Sequence, residues 1–215
     1  CLTPDAVAAM VANGHRVLME KGAGEEAGFS DTDYNEAGAK LTKDTKKVFE
    51  CPIVLKVEPP TLEELSLMKP KSVLISALQL KTRKKEYFEA LSKKKITALA
   101  FEFIKDEDGT YPAVRALSEI AGTASVLIAS EILASPKGSG LMFGNISGVP
   151  PLEVVIIGAG TVGEFAGRSA LGLGANIKIF DNSLTKLRCI QTNLGRPLYT
   201  STLQPKNLLK SLLRA

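Results

Sequence analysis

The sequence has no tryptophan, a single histidine and three cysteines, and each shortage narrows the chemistry open to it. Cys1, Cys51 and Cys189 form an odd, scattered set with no CxxC pair. That argues against a disulfide framework and against a zinc site, and makes a reducing cytoplasm the expected compartment. His15 follows an Asn13-Gly14 helix end and is expected to be structural, which leaves histidine-based proton exchange without a candidate. Aromatic residues make up only 6% of the chain, and the net charge is only +4. The lysines at 43, 46 and 47 and at 84, 85 and 93–95 are interleaved with acids and apolar residues. They read as solvated helix faces, and no nucleic-acid partner is expected. Long hydrophobic runs are missing too. The longest, near residues 121–133, is broken by Ser125, Ser130 and Glu131 and reads as too short to span a bilayer, and no signal peptide is expected. What remains is the make-up of an ordinary globular chain of 215 residues, enough for one large or two small cores.

The most informative stretch is VVIIGAGTVGEFAGRSALGLGANIKIFD at residues 154–181. Four apolar, mostly β-branched residues, 154–157, read as a strand buried on both faces of a parallel sheet. Gly158 lets the chain turn sharply, Gly160 removes the side chain that would hold a pyrophosphate off the backbone, and Gly163 lets the next helix pack close to the strand. That helix is expected over residues 164–173, ending near Gly172 and Gly174, followed by a second strand over 175–180. Asp181 stands at its tip, near the roughly 20-residue spacing at which a carboxylate reaches ribose hydroxyls. A carboxylate there repels a 2′-phosphate, so NAD is expected rather than NADP. The strand, glycine turn, helix and acid together are the fingerprint of a dinucleotide-binding unit.

Upstream, short apolar strands alternate with helical patterns. Thr3-Pro4 starts a helix that ends at Asn13-Gly14, and residues 16–20 read as a strand. Ser30 caps a short helix, residues 52–57 form a strand, and Thr61 with Glu64 makes a capping box. Residues 72–77 and 96–101 are further strands, separated by an amphipathic helix over 82–92 with Phe88 and Leu91 on one face. Such alternation implies a largely parallel sheet. Residues 116–133 read as a long apolar helix, and the Gly, Ser and Pro of residues 134–151 as a connection. The expected fold is α/β, in two lobes with parallel sheets. Residues 1–115 form the partial substrate lobe, and residues 116–215 a truncated Rossmann-type dinucleotide-binding lobe, with a cleft between them for substrate and nicotinamide. Starting without methionine and stopping inside a helix expected over residues 207–214, the chain reads as a piece of a longer protein.

Several segments are more specific than composition or periodicity. LTPDAV at Leu2, GHRVLMEKGAGEEAGFSDTDYNEAGA from Gly14, LSEIAG from Leu117, GNISGVPP from Gly144 and the fingerprint itself resemble the alanine dehydrogenase and pyridine-nucleotide transhydrogenase α-subunit family, nearer its alanine dehydrogenase branch. The resemblance implies NAD contacts from Ser118, from the Gly158, Gly160, Thr161, Val162 and Gly163 turn, from Asp181 and from Lys186. On the substrate side the chain departs from the family pattern. The family's substrate arginine falls before Cys1 and its catalytic aspartate beyond Ala215. LKVEPP stands where the family has KVKEP, so either Lys56 serves as the substrate lysine or Glu58 occupies its place. Gln79 stands where the family has its catalytic histidine, and glutamine hydrogen-bonds a carbonyl but exchanges no proton near neutral pH. Lys56 and Gln79 are thus the substrate-side candidates. The implied reaction is NAD-dependent oxidative deamination of L-alanine to pyruvate and ammonia by a homo-oligomer, with the piece alone inactive. Two other functions fit the same resemblance: the NAD-binding subunit of a proton-translocating transhydrogenase, and an NAD-binding regulatory module that has lost catalysis.

Overall fold

The computed structural model describes residues 2–213, so Cys1 and the expected helix end at Arg214 lie outside the described residues. The chain divides into two compact units, Cys1–Ile104 and Lys105–Ala215.

In the first unit, helix α1 (Pro4–Ala12) starts as its sequence dictates, with Thr3 Oγ1 accepting the Ala6 N–H at 3.3 Å and Pro4 at the first helical position. Strand β1 (Leu18–Glu20), helix α2 (Asp31–Glu36) and strand β2 (Lys40–Thr42) follow, and β1 and β2 pair in parallel. Ser30 and Asp33 close a reciprocal capping box on α2. Val7, Tyr34 and Ala39 form a small core here, with the Tyr34 hydroxyl donating to the Leu2 carbonyl at 2.8 Å.

Helix α3 (Thr45–Phe49) leads into a second parallel sheet with strand order β3 (Ile53–Leu55), β4 (Val73–Ser76), β5 (Thr97–Ala100). Leu55 stands beside Ile75, and Ile75 beside Leu99. Helices α4 (Leu62–Leu67) and α5 (Lys85–Lys93) connect them and bury Val54, Leu65, Met68, Leu74 and Leu91 on one face of that sheet. Thr61 and Glu64 form the expected capping box of α4, and the Lys94 ammonium donates to the Ser66 and Met68 carbonyls at its other end. Helix α5 departs from expectation. It begins three residues later, because the Thr82 N–H and hydroxyl both bond the Gln79 carbonyl and hold a turn there. Its core face is Tyr87 with Leu91, one turn apart, and Phe88 is exposed.

In the second unit, helix α6 (Pro112–Ala134) starts earlier than expected because Pro112 occupies its first position. At 23 residues it is long and apolar enough to cross a membrane by length and composition, which corrects the expectation of too short a stretch. Here it packs on another helix. Strand β6 (Glu153–Ile157), helix α7 (Thr161–Gly172), strand β7 (Asn176–Phe180), helix α8 (Leu184–Leu194), strand β8 (Tyr199–Ser201) and helix α9 (Pro205–Leu212) complete the unit. The sheet order is β6-β7-β8, all parallel, the order of the first half of a doubly wound dinucleotide fold. Gly122 brings α6 against α7 so closely that a Cβ there would lie 2.4 Å from the Val162 carbonyl oxygen. The expectation of β6 buried on both faces holds only for Ile156. Ile157 is 60% exposed, and β6 forms one edge of its sheet among the described residues.

Candidate functional site

The glycine turn after β6 has the geometry its residues predict. Gly158 takes φ of +111°, a conformation that side-chain-bearing residues rarely adopt, and its N–H continues the strand ladder to the Phe180 carbonyl at 2.7 Å. A Cβ on Gly163 would sit 2.0 Å from the Gly158 carbonyl oxygen, so only glycine lets α7 start this close to the turn. At Gly160 the position of a Cβ is open space, with nothing within 4 Å. Gly160 is the N-cap of α7 and supplies no side-chain acceptor, so the first-turn amides, at the positive end of the helix dipole, have no side-chain partner. A cavity of about 470 Å³ opens beside the turn, lined among others by Ser118, Gly158, Gly160, Thr161, Val162 and Gly163. Ser118 is inside helix α6, the seventh of its residues, and is no helix cap.

Asp181 follows β7 directly and bonds across this turn. Its carboxylate accepts the Ala159 N–H at 2.8 Å and the Ser183 N–H at 2.7 Å. These two amides hold the Asp181 carboxyl below the usual carboxylate range; a slight burial opposes them and the Lys186 charge assists. The group is therefore a fixed anion with lone pairs to spare for further donors. Lys186 lies on the exposed first turn of α8, its N–H capped by the Ser183 hydroxyl at 3.3 Å.

The substrate-side candidates, Lys56 and Gln79, lie just past the carboxyl ends of the adjacent strands β3 and β4, where ligands bind in open parallel sheets. Both oxygens of Glu64 accept from the Lys56 ammonium, at 2.9 and 2.8 Å. Burial raises the Glu64 pKa, but the hydrogen bonds from Lys56 and Thr61 outweigh it and the carboxyl ends below its ordinary value. Glu58 is exposed.

Gln79 is held from several directions. Its φ of +49° is left-handed, which costs a non-glycine residue on the order of 1 kcal/mol. Glu102, just after β5, accepts the Leu78 N–H at 2.9 Å and the Gln79 N–H at 2.8 Å, and hydrogen bonds to a charged acceptor contribute about 1.5–3 kcal/mol each, enough to outweigh the strain. The Gln79 carbonyl takes both Thr82 donors, and the Arg83 guanidinium donates to its side-chain oxygen at 2.9 Å. Arg83 lies over the Tyr87 ring at 5.6 Å and has no carboxylate partner among the described residues. Burial pushes the Tyr87 phenol up, with Arg83 opposing and Glu64 adding to the rise, so the hydroxyl stays protonated. No hydrogen bond joins Lys56 to Gln79. Sequence reading found neither Glu102 nor Arg83. Glu102 acts across 23 residues without a local signal, and Arg83 falls inside a stretch read as regular helix.

Parallel three-stranded sheets, a glycine turn closed by an acid and a helix laid along it define an α/β protein of the Rossmann-like fold. The chain belongs to the alanine dehydrogenase/PNT family: its N-terminal domain model matches residues 1–121 and its C-terminal domain model residues 124–215. Among its relatives, alanine dehydrogenase of Bacillus subtilis (strain 168) is 36% identical over 215 residues, all of this chain and 56% of the relative. Alanine dehydrogenase of Methanococcus maripaludis is 34% identical, again over 100% of this chain and 58% of the relative. A solved L-alanine dehydrogenase superposes with a TM-score of 0.92 at 33% identity, covering 100% of this chain and 59% of that one. A transhydrogenase from Sinorhizobium meliloti, at 23% identity and a TM-score of 0.73, shares the fold. The chain thus spans somewhat over half the length of the relatives it matches.

Proposed function

We propose that this chain is the substrate lobe and the first half of the NAD-binding lobe of an alanine dehydrogenase, a cytoplasmic homo-oligomer converting L-alanine, water and NAD+ to pyruvate, ammonium, NADH and a proton. The observation that carries the reading is the Asp181 carboxylate bonded across a glycine turn whose Gly160 leaves open the space a pyrophosphate needs. The uncapped first turn of α7 suits the phosphates, Asp181 suits the ribose hydroxyls, and the cavity wall from Ser118 to Gly163 gives the rest of the cofactor a surface. Bound there, the dinucleotide would supply the hydride acceptor. Ser118 and Lys186 are the further proposed contacts. On the substrate side Lys56, kept in place by Glu64, would pair with the substrate carboxylate or carbonyl, and Gln79 would hydrogen-bond it without exchanging a proton.

Calorimetric titration of the 215-residue chain with NAD and with NADP tests the cofactor half. NAD is expected to bind more tightly, since a 2′-phosphate would meet the Asp181 charge; equal or tighter NADP binding refutes the assignment. An absorbance assay for NADH with alanine and NAD tests the rest. The chain alone is expected to give none, and a protein extended to the length of its relatives to give turnover.

A further inference from the structure

At the carboxyl edge of the β3-β4-β5 sheet, the side chain of Gln79 is fixed in one orientation. A guanidinium carries only donors, so the Gln79 atom facing Arg83 at 2.9 Å is the carbonyl oxygen Oε1. That occupies the one acceptor of the carboxamide with a cation and turns its NH2 group away from Arg83. The backbone beneath is over-determined: two N–H groups on Glu102, the carbonyl on Thr82, and a left-handed φ. Strain held by this many restraints at the end of a parallel strand is the pattern of a pre-organised ligand contact. Gln79 itself is exposed, and its NH2 group has no acceptor among the described residues. Apart from its place over the Tyr87 ring, Arg83 has no carboxylate partner among the described residues, and its buried Nε lacks a hydrogen-bond partner.

We infer that Arg83 is a positioning residue which locks the Gln79 carboxamide with its NH2 donors turned outward, so that Nε2 binds an oxygen acceptor, the carbonyl or carboxylate of a small 2-oxo acid. This rests on the function proposed above and goes further: it makes the polarising group at this position a neutral amide backed by a guanidinium. The pair can bind and polarise an acceptor oxygen, and any proton transfer belongs to another group.

Nitrogen-15 NMR of the Gln79 carboxamide in a protein extended to the length of its relatives tests both halves, with sodium pyruvate as probe. Without pyruvate, the wild-type amide should be nearly as rigid as backbone, with an order parameter of about 0.8, and Arg83→Met should drop it below about 0.6 while backbone signals stay put. Pyruvate should shift the Nε2 protons downfield in the wild type and bind roughly tenfold more weakly to Arg83→Met, the loss of about one well-placed hydrogen bond. Gln79→Glu keeps an acceptor for Arg83 and removes both donors, so it should retain the fold and lose the pyruvate response, read in this variant from the backbone amide signals of Ala77 and Leu78. A mobile wild-type amide overturns the positioning role. A rigid amide that pyruvate leaves unshifted, or a response kept in Gln79→Glu, overturns the donor role. Failure of NAD to bind in calorimetry would instead refute the proposed function and leave the amide measurements as they stand.

Discussion

Two glycines three residues apart separate packing from ligand binding. At Gly163 an added Cβ would lie 2.0 Å from the Gly158 carbonyl oxygen and 3.4 Å from Ile156 Cγ2. Real Cβ atoms essentially never come closer than 3.0 Å, so α7 or the turn must move by about 1 Å, the scale of shift at which packed atoms lose a quarter to a half of their dispersion energy. That motion runs into the core of Ile156, Ala166 and Ala170. Overpacking of this kind costs about 1–3 kcal/mol, and the upper end applies because the obstacle is backbone. For a chain of this length, 3 kcal/mol corresponds to a Tm lowered by roughly 6–12 °C. At Gly160 nothing lies within 4 Å, and φ of −89° with ψ of −170° is ordinary extended backbone. Gly160→Ala should therefore match or exceed wild-type stability, gaining about 0.4–1 kcal/mol from a less flexible unfolded chain. It should nonetheless bind NAD at least about tenfold more weakly, because the methyl group takes the space of the pyrophosphate. Thermal unfolding and NAD calorimetry on both variants give the answer. Wild-type stability of Gly163→Ala would refute the packing account, and wild-type NAD affinity of Gly160→Ala would show that no pyrophosphate approaches the turn.

Asp181 has a carboxyl held below its ordinary value of 3.8, so its contribution to stability is complete above about pH 4 and is lost as the pH falls through the lowered value. Asp181→Asn should then flatten the acid limb of the stability curve in urea unfolding at a series of pH values, and Asp181→Ala should relax the NAD preference; an unchanged acid limb would remove the link. In a protein extended to the length of its relatives, Lys56→Ala should cost on the order of a hundredfold in turnover if Lys56 is the substrate lysine, and Glu58→Ala far less. The reverse ranking would assign the role to Glu58. Leu74, fully buried at the centre of the β3-β4-β5 sheet, should cost about 2–5 kcal/mol when cut to alanine, and exposed Leu62 less than about 0.5, both by denaturant midpoint.

The features legible in the sequence were those whose physics is local. Thr3 with Pro4, Ser30 before α2, and Thr61 with Glu64 each satisfy amides within three or four residues, and the structure forms all three caps. The glycine turn is read the same way, since a sharp turn and a close helix leave no room for a side chain. Elements decided by distant partners were not legible. Glu102 reaches back to Leu78 and Gln79 from the end of another strand. β8 is Tyr-Thr-Ser, with no apolar run to announce it, and exists because Phe180 and Ile179 offer it an edge. Tyr87 rather than Phe88 faces the core because the turn at Gln79 delays the helix, and an apolar pattern alone does not set that phase.

The open side of β6 has a practical consequence for handling the molecule. A parallel strand at the edge of a sheet offers a row of free amide and carbonyl groups, and beside it α6 leaves Leu117, Ile120, Ile128 and Ile132 more than half exposed. In dilute solution those groups are met by water. In a concentrated sample they are met by the next molecule, so this flank is one place where the isolated chain is expected to self-associate.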